Sequence, residues 1–363
     1  MLTVLLAAAG AATLVLSLIL TAMAIRLAPR LGFVDRPGAH KSHEKATPYG
    51  GGVAIFLACW GPAVVLLILA ATVPVGWLTD LFGETVRPYI GGLRERGGQT
   101  LIIFAGAAAL HVMGLVDDRR PLGPFAKLAA MLGLGLVVSA VGGVRIAEFL
   151  GPVPSVLLTA VWIVIITNAF NFLDNMDGLS AGVATICTAL LIACGLFAGQ
   201  VLIPGLGCLL LGALLGFLAF NFPPAKIFMG DAGSLVVGYM MAVLSIMTSY
   251  WKSGTADQPF ALAMPLVVLA VPLYDFTSVV IIRVFEGRNP FKGDQRHFSH
   301  RLVDRGLSRR FAVLTIYLAT AATGLGATLL PGADLRQTLT VLAMVLMVLL
   351  IIAILEVPLR KAS

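Results

Sequence analysis

The sequence predicts an all-α, polytopic membrane helix bundle of about eleven transmembrane helices, with the N-terminus outside and the C-terminus inside. Three observations carry this. Of 363 residues, 59% are hydrophobic and only 12% are charged, whereas soluble domains are about 45–50% apolar and about 25% charged. The mean hydropathy is +0.97, so lipid suits most of the surface better than water. The charges that remain gather in short segments between long apolar runs.

A span needs about 20 apolar residues. Eleven segments qualify: roughly 2–26, 51–75, 99–116, 124–142, 154–171, 180–198, 202–220, 233–250, 260–283, 311–330 and 337–356. The first lacks a basic leader region and a cleavage site, so it reads as a spanning helix. With the N-terminus outside, 19 of the 25 Lys and Arg fall on the inside and 6 on the outside. That bias satisfies the positive-inside rule and an odd number of spans. It also accounts for the net charge of +7 without nucleic acid, for which there are no basic runs interleaved with aromatics. Cys59, Cys187, Cys194 and Cys208 lie in apolar stretches without metal-site spacing, as expected of reduced, inert thiols. No repeat or linker divides the chain, so residues 1–363 read as one membrane domain. The outside segment at 76–98, with Trp77 and Tyr89, reads as a loop or an interfacial helix.

Every dense cluster of Asp, Asn, His and Lys falls on the inside. The first runs from Asp35 to Gly52 and contains His40, Lys41, His43 and Lys45. Pro37 and Pro48 break any helix there, and Lys41 and Lys45 are candidate phosphate ligands. A basic loop that only sets topology explains it equally well. The second holds Asp117, Asp118 and Lys127. Two adjacent carboxylates at a helix C-terminus are costly to desolvate and face the negative dipole end, so they call for a cation. The third is Asn168-Ala-Phe-Asn171-Phe-Leu-Asp174-Asn-Met-Asp177-Gly178. Positions 168, 171 and 174 share a helix face. Amides and carboxylates together suit a metal or a nucleobase edge, and capping explains one or two of them but not the row. The fourth spans Asn221 to Ser234. Asp231 there precedes an apolar run, as a helix N-cap does, and Phe228 is either a stacking platform or an interface aromatic. The fifth holds Arg296, His297 and His300, a set able to clamp a diphosphate. It lacks a third soft ligand for zinc. Within the spans, His111 reads as a structural histidine. Asp275 marks a functional position whose partner is not legible.

In this order the clusters resemble the polyprenyl-phosphate N-acetylhexosamine-1-phosphate transferase family over about residues 26–302. The match is closest at Val-Asp117-Asp118, at Asn168-Ala-Phe-Asn171 with Asp177-Gly178-Leu, and at Pro-Ala-Lys-Ile-Phe-Met-Gly-Asp231-Ala-Gly-Ser234. The resemblance implies a Mg²⁺-dependent reaction, with Mn²⁺ as a substitute ion. A UDP-sugar, with N-acetylglucosamine the first expectation, and undecaprenyl phosphate give a polyprenyl diphosphate sugar and UMP. The expected location is the cytoplasmic face of the inner (plasma) membrane, where the product starts a cell-envelope polysaccharide. The resemblance makes Asp231 a metal ligand, with Asn171 a second candidate. Asp117 and Asp118 handle the acceptor phosphate, with Lys127 their cationic partner. Asn221, Phe228 and Asp177 fall where uridine is held, and Asn168 and Asp174 join that nucleotide- and sugar-binding set. Arg296, His297 and His300 meet the donor diphosphate and sugar. A homodimer is compatible with the resemblance. Three positions depart from the family pattern: His40 for Arg, Asn175 for Gly, and Ser299 for His. The alternative from another class is a secondary transporter of an anionic solute, which would place its polar groups near the midplane and show repeats with broken helices.

Overall fold

The computed structural model describes residues 1–35, 46–248, 262–288 and 296–356. It is all but entirely helical: α1 Leu2–Leu27, α2 Gly51–Thr72, α3 Val75–Phe82, α4 Arg87–Glu95, α5 Gly97–Arg119, α6 Pro124–Ala140, α7 Pro152–Leu173, α8 Leu179–Phe197, α9 Leu202–Asn221, α10 Asp231–Thr248, α11 Met264–Val268, α12 Ala270–Phe285, α13 Phe298–Asp304, α14 Arg309–Leu325 and α15 Leu335–Glu356. Two short strands, β1 Val34–Asp35 and β2 Thr47–Pro48, pair antiparallel beside α2.

Over the described residues, each of the eleven expected apolar segments coincides with helix. Among the described residues, nine helices are long and apolar enough to cross a membrane. The fourth expected span is the shorter α6, of 17 residues. The ninth is split into α11 and α12 at Leu269. Pro272 causes the split, because it has no N–H to give the carbonyl four residues back, at Val268. That carbonyl accepts instead from the Cys187 thiol at 3.3 Å. All four cysteines are free. The segment at 76–98 forms the short helices α3 and α4, and Arg94 closes the end of α2 by donating to the carbonyls of Ala70 and Val73.

The bundle is organised around α10. Its apolar window is 94% buried, against 11% at the N-terminal helix and 22% at α15, so α10 is the axis and the other two face lipid. Helices α7, α5, α8 and α2 surround it. Lipid supplies no hydrophobic drive between helices, so close backbone approach matters more than in water. Two glycines provide it where α10 begins. A Cβ on Gly52 would strike the backbone of Ala232 and Gly233, and one on Gly114 would strike Asp231 and Ala232. The α2 and α5 backbones therefore touch the first turn of α10.

Replacing Gly114 with Val should lower the unfolding midpoint in detergent by the equivalent of about 1–3 kcal/mol, the usual cost of overpacking. The same change at Gly61, with nothing within 4 Å, should leave the midpoint in place.

Candidate active site

The contact between Gly114 and α10 places the last turn of α5 against the start of α10. Asp117 and Asp118 lie in that turn, Lys127 in the first turn of α6, Asn171 in the last turn of α7, and Asp231 opens α10. All four helix ends meet at one end of the bundle.

The bonding there is specific. Lys127 Nζ donates to Asp117 Oδ2 and to Asp231 Oδ2, each at 2.9 Å. Asp117 Oδ1 also accepts from the Leu122 N–H at 2.6 Å, which folds the α5–α6 turn back on itself. Asn171 Nδ2 donates to Asp231 Oδ1 at 3.0 Å and to Ser234 Oγ at 2.9 Å. Asp118 is used differently. Its Oδ1 accepts from the Asp231 N–H at 2.8 Å and its Oδ2 from the Ala232 N–H at 3.2 Å. A helix starts with unpaired N–H donors and a positive dipole end, and here a carboxylate from another helix satisfies both. The adjacent pair thus divides: Asp117 faces Lys127 and Asp118 caps α10. Lys127, Asp117 and Asp231 keep side-chain exposures of 21%, 13% and 25%, so the network is reachable from outside the bundle.

Asp174 closes α7. Burial, and then the charges of Asp231, Asp118 and Asp177, push its carboxyl well above the usual range. Asp177 Oδ2 accepts from the Ala225 N–H at 2.9 Å. Asn221, buried, accepts from the Gly178 N–H at 2.9 Å and donates to the Ile227 carbonyl at 2.8 Å. These two side chains lace the α7–α8 turn to the α9–α10 loop. The loop is held from its other side as well. The Phe228 N–H donates to the Pro48 carbonyl at 2.9 Å, and the Phe228 and Met229 carbonyls accept from Gly51 and Gly52. The Phe228 ring lies 6.1 Å from that of Tyr49. Asn168 sits one turn deeper on α7. Its amide donates to its own helix at Val164 and contacts Met131 Sδ at 3.5 Å, so it bonds to α6 one turn below Lys127 and not to Asp231.

The fifth cluster reaches the site through α13. His297 Nδ1 lies 3.0 Å from Asp275 Oδ2, and its ring meets Phe172 edge-on at 5.6 Å. Arg296 is exposed and pairs with Glu286 at 3.0 Å. Burial, and then the charge of His297, hold the His300 imidazole below its ordinary value. Lys41 and Lys45, and the variant position His40, lie outside the described residues.

Sequence reasoning missed three participants. Tyr49 is surrounded by carboxylates: burial, then the charges of Asp35, Asp118 and Asp174, raise its hydroxyl above the ordinary range. It stands inside the first polar cluster, but a lone tyrosine there resembles any interface aromatic. Arg283 is buried and its guanidinium lies 5.2 Å over the Phe172 ring, although an arginine at a span end reads as a topology charge. Ser234, bonded to Asn171, is visible in the sequence only as part of a motif. His111 is structural, as read: its Nδ1 lies 2.9 Å from the Ala232 carbonyl and its ring stacks on Phe56 at 4.4 Å.

An acid- and amide-lined site at the end of a polytopic membrane bundle, with a lysine shared between two carboxylates, is the setting of a membrane-embedded group-transfer enzyme. The glycosyl transferase family 4 model matches residues 100–249. A Bacillus subtilis (strain 168) protein named a probable undecaprenyl-phosphate N-acetylglucosaminyl 1-phosphate transferase is 34% identical over 345 residues, covering 93% of this chain and 88% of that one. A decaprenyl-phosphate N-acetylglucosaminephosphotransferase of Mycobacterium tuberculosis (strain CDC 1551 / Oshkosh) is 36% identical over 83% of this chain and 76% of its own. An Escherichia coli (strain K12) undecaprenyl-phosphate alpha-N-acetylglucosaminyl 1-phosphate transferase is 26% identical over 82% and 76%. The chain belongs to the polyprenyl-phosphate N-acetylhexosamine-1-phosphate transferase family.

The two carboxylates of the α5 pair should separate by mutation. Asp118→Ala strands two N–H donors and should cost about 1–3 kcal/mol of stability, read as a lowered unfolding midpoint in detergent. Asp117→Ala should lower the midpoint less and abolish turnover, because Lys127 keeps Asp231. Equal destabilisation by both would contradict the division.

Proposed function

We propose that the protein transfers N-acetylglucosamine 1-phosphate from UDP-N-acetylglucosamine to undecaprenyl phosphate, releasing UMP, at the cytoplasmic face of the plasma membrane. The product would start a cell-envelope polysaccharide. The observation that carries this is the Asp117–Lys127–Asp231–Asn171 network at one end of the bundle. The named relatives support the sugar, which they share, while their lipids differ between undecaprenyl and decaprenyl phosphate. The inside placement rests on the Lys and Arg distribution. A transporter gains no support, because the bonded polar groups meet at helix ends and not across the midplane.

The residues fit Mg²⁺ as a cofactor. The donor set around Asp231 is oxygen-rich and free of thiols, and burial, with the added charges of Asp231, Asp118 and Asp177, raises Asp174. Among the described residues no group of three or more His, Cys, Asp or Glu is arranged to hold a metal. An ion here would therefore take one or two carboxylates and complete its shell with substrate phosphate and water. Asp231 would hold it, with the Asn171 amide oxygen after rotation of that side chain. When bound, the ion neutralises the donor diphosphate and the departing UMP.

The chain's own groups perform the rest. Phosphoryl transfer needs in-line placement and charge neutralisation more than covalent chemistry. An oxygen of the acceptor phosphate forms the new P–O bond to the sugar-bearing phosphorus, and the bond between the two donor phosphorus centres' bridging oxygen and that phosphorus breaks. The bridging oxygen leaves with UMP. A phosphoester is already largely ionised near neutral pH, with a second pKa of about 6, so no base is required. Lys127 then receives the acceptor phosphate while Asp117 holds the ammonium in place. Asp118 keeps α10 aimed at the site. Phe228 and the braced loop around Asp177 and Asn221 form the nucleotide end, and Arg296, His297 and His300 meet the diphosphate and sugar. The displacement is direct, so a trapped phosphoryl adduct on Asp117 or Asp118 would overturn it.

The test is a radiolabel assay with the purified full-length protein, undecaprenyl phosphate, Mg²⁺ and a panel of UDP-sugars. Butanol-extractable label should form with UDP-N-acetylglucosamine, with equimolar UMP. Asp231→Asn should reduce turnover by roughly a hundredfold or more; unchanged activity would remove Asp231 from the metal site. Uptake into proteoliposomes without product would favour the transporter.

A further inference from the structure

Asp275 is the carboxylate within the ninth apolar segment, and the transfer chemistry above does not use it. It is 0% exposed. A buried carboxylate in a membrane span is costly and survives only when paired, and both oxygens of this one are engaged. Oδ2 lies 3.0 Å from His297 Nδ1, and Oδ1 accepts from the Phe298 N–H at 2.7 Å. Capping α13 needs one oxygen, which a serine or threonine would supply without a buried charge. The second oxygen goes to the imidazole.

That second bond decides what the imidazole can do. An ionised carboxylate only accepts, so Nδ1 carries hydrogen and Nε2 is the ring nitrogen left for a substrate. Phe172, next to Asn171 on α7, stands edge-on to the ring at 88°, so the ring is held by a carboxylate and an aromatic wall. Two residues on, buried Ser299 donates to Asn175 Oδ1 at 2.6 Å, and Asn175 donates to the Phe172 carbonyl at 2.6 Å. Asn175 follows Asp174 directly. The α13 helix is therefore fastened on one side to α12 and on the other to the turn that carries the carboxylate cluster. The two positions that depart from the family pattern in this region, Asn175 and Ser299, bond to each other.

We infer that Asp275 is a positioning residue for the transfer reaction: it fixes the ring orientation and tautomer of His297, and the Asn175–Ser299 bond sets that imidazole's place relative to the Asp174–Asp231 cluster. Asp275 itself touches no substrate. The inference rests on the proposed reading of α13 as the part that meets the nucleotide sugar. It predicts that Asp275 acts on the donor alone and only through His297.

Donor and acceptor kinetics of the full-length protein, with UDP-N-acetylglucosamine and undecaprenyl phosphate, test it. Asp275→Asn should lower kcat/KM for the donor roughly 10- to 100-fold, by analogy with loss of the partner that orients a metal-bound histidine. The acceptor KM should stay within about twofold, and the Asp275→Asn/His297→Ala double variant should be no worse than His297→Ala alone. Asp275→Glu, which keeps the charge, should recover part of the loss. Multiplying losses in the double variant would show a merely structural carboxylate, and wild-type donor kinetics in Asp275→Asn would overturn the inference outright. Should Asp275→Asn fail to fold, Ser299→Ala decides. A several-fold rise in donor KM, with the acceptor KM unchanged, supports the inference, and wild-type values overturn it. An inactive wild type would instead sink the reaction on which the inference rests.

Discussion

A single carboxylate makes the central helix possible. The α10 helix is the most buried element of the bundle, and its first turn would bring unpaired N–H groups and a positive dipole end into the interior. Asp118, reaching across from α5, accepts from both of the first two N–H groups. Such charge-assisted bonds are about twice as strong as neutral ones. The helix can then start with another acid, Asp231, whose charge the dipole also favours. A second negative group beside the first needs a cation, and Lys127 bridges from α6 to both Asp231 and Asp117. The arrangement that lets α10 begin inside the bundle is thus also the one that collects charge around its first residue.

Several residues in the expected site act as braces. Asp177 and Asn221 spend their polar atoms on the backbone of neighbouring loops, and the Phe228 backbone is tied to Pro48 and Gly51. Three loops from distant parts of the chain therefore form one rim. Bracing and binding are compatible in such a rim: loops that carry their own internal hydrogen bonds present faces and edges to a substrate without reorganising, which is what an electrostatically preorganised site requires.

Much of this was legible in the sequence, and the failures share a physical origin. Apolar length located the long helices, because a span must satisfy its backbone internally and helices do so; the short α3, α4 and α13 lie outside the expected spans. The split at Leu269 was foreshadowed by Pro272, but a hydropathy window does not register a single missing N–H. Of the row at 168, 171 and 174, the first two lie on α7 and Asp174 caps its end, and only Asn171 bonds to Asp231. Helical spacing fixes a face to within a turn, and depth along it depends on which neighbour lies opposite. Asp275 remained without a partner because His297 lies across a loop that no periodicity spans. Tyr49 and Arg283 were invisible for the same reason: their partners stand on other elements, and type alone marked them as interface residues.

The account depends on surplus negative charge at the start of α10 being met by a divalent ion. Asp174 supplies the handle. Its carboxyl titrates above the value of about 3.9 expected in an unfolded chain, so the folded protein without the ion loses stability as pH rises from there through the raised value. An ion that binds the charged form recovers that loss, so its effect must grow with pH. The measurement is the unfolding midpoint of the purified protein in detergent, with and without Mg²⁺, across that range. The midpoint should rise with Mg²⁺, by the equivalent of about 2–3 kcal/mol at a hundredfold excess over Kd, more at high pH than at low, and Asp231→Asn should remove the effect. A midpoint indifferent to Mg²⁺ at every pH, or a response that survives Asp231→Asn, would contradict the account.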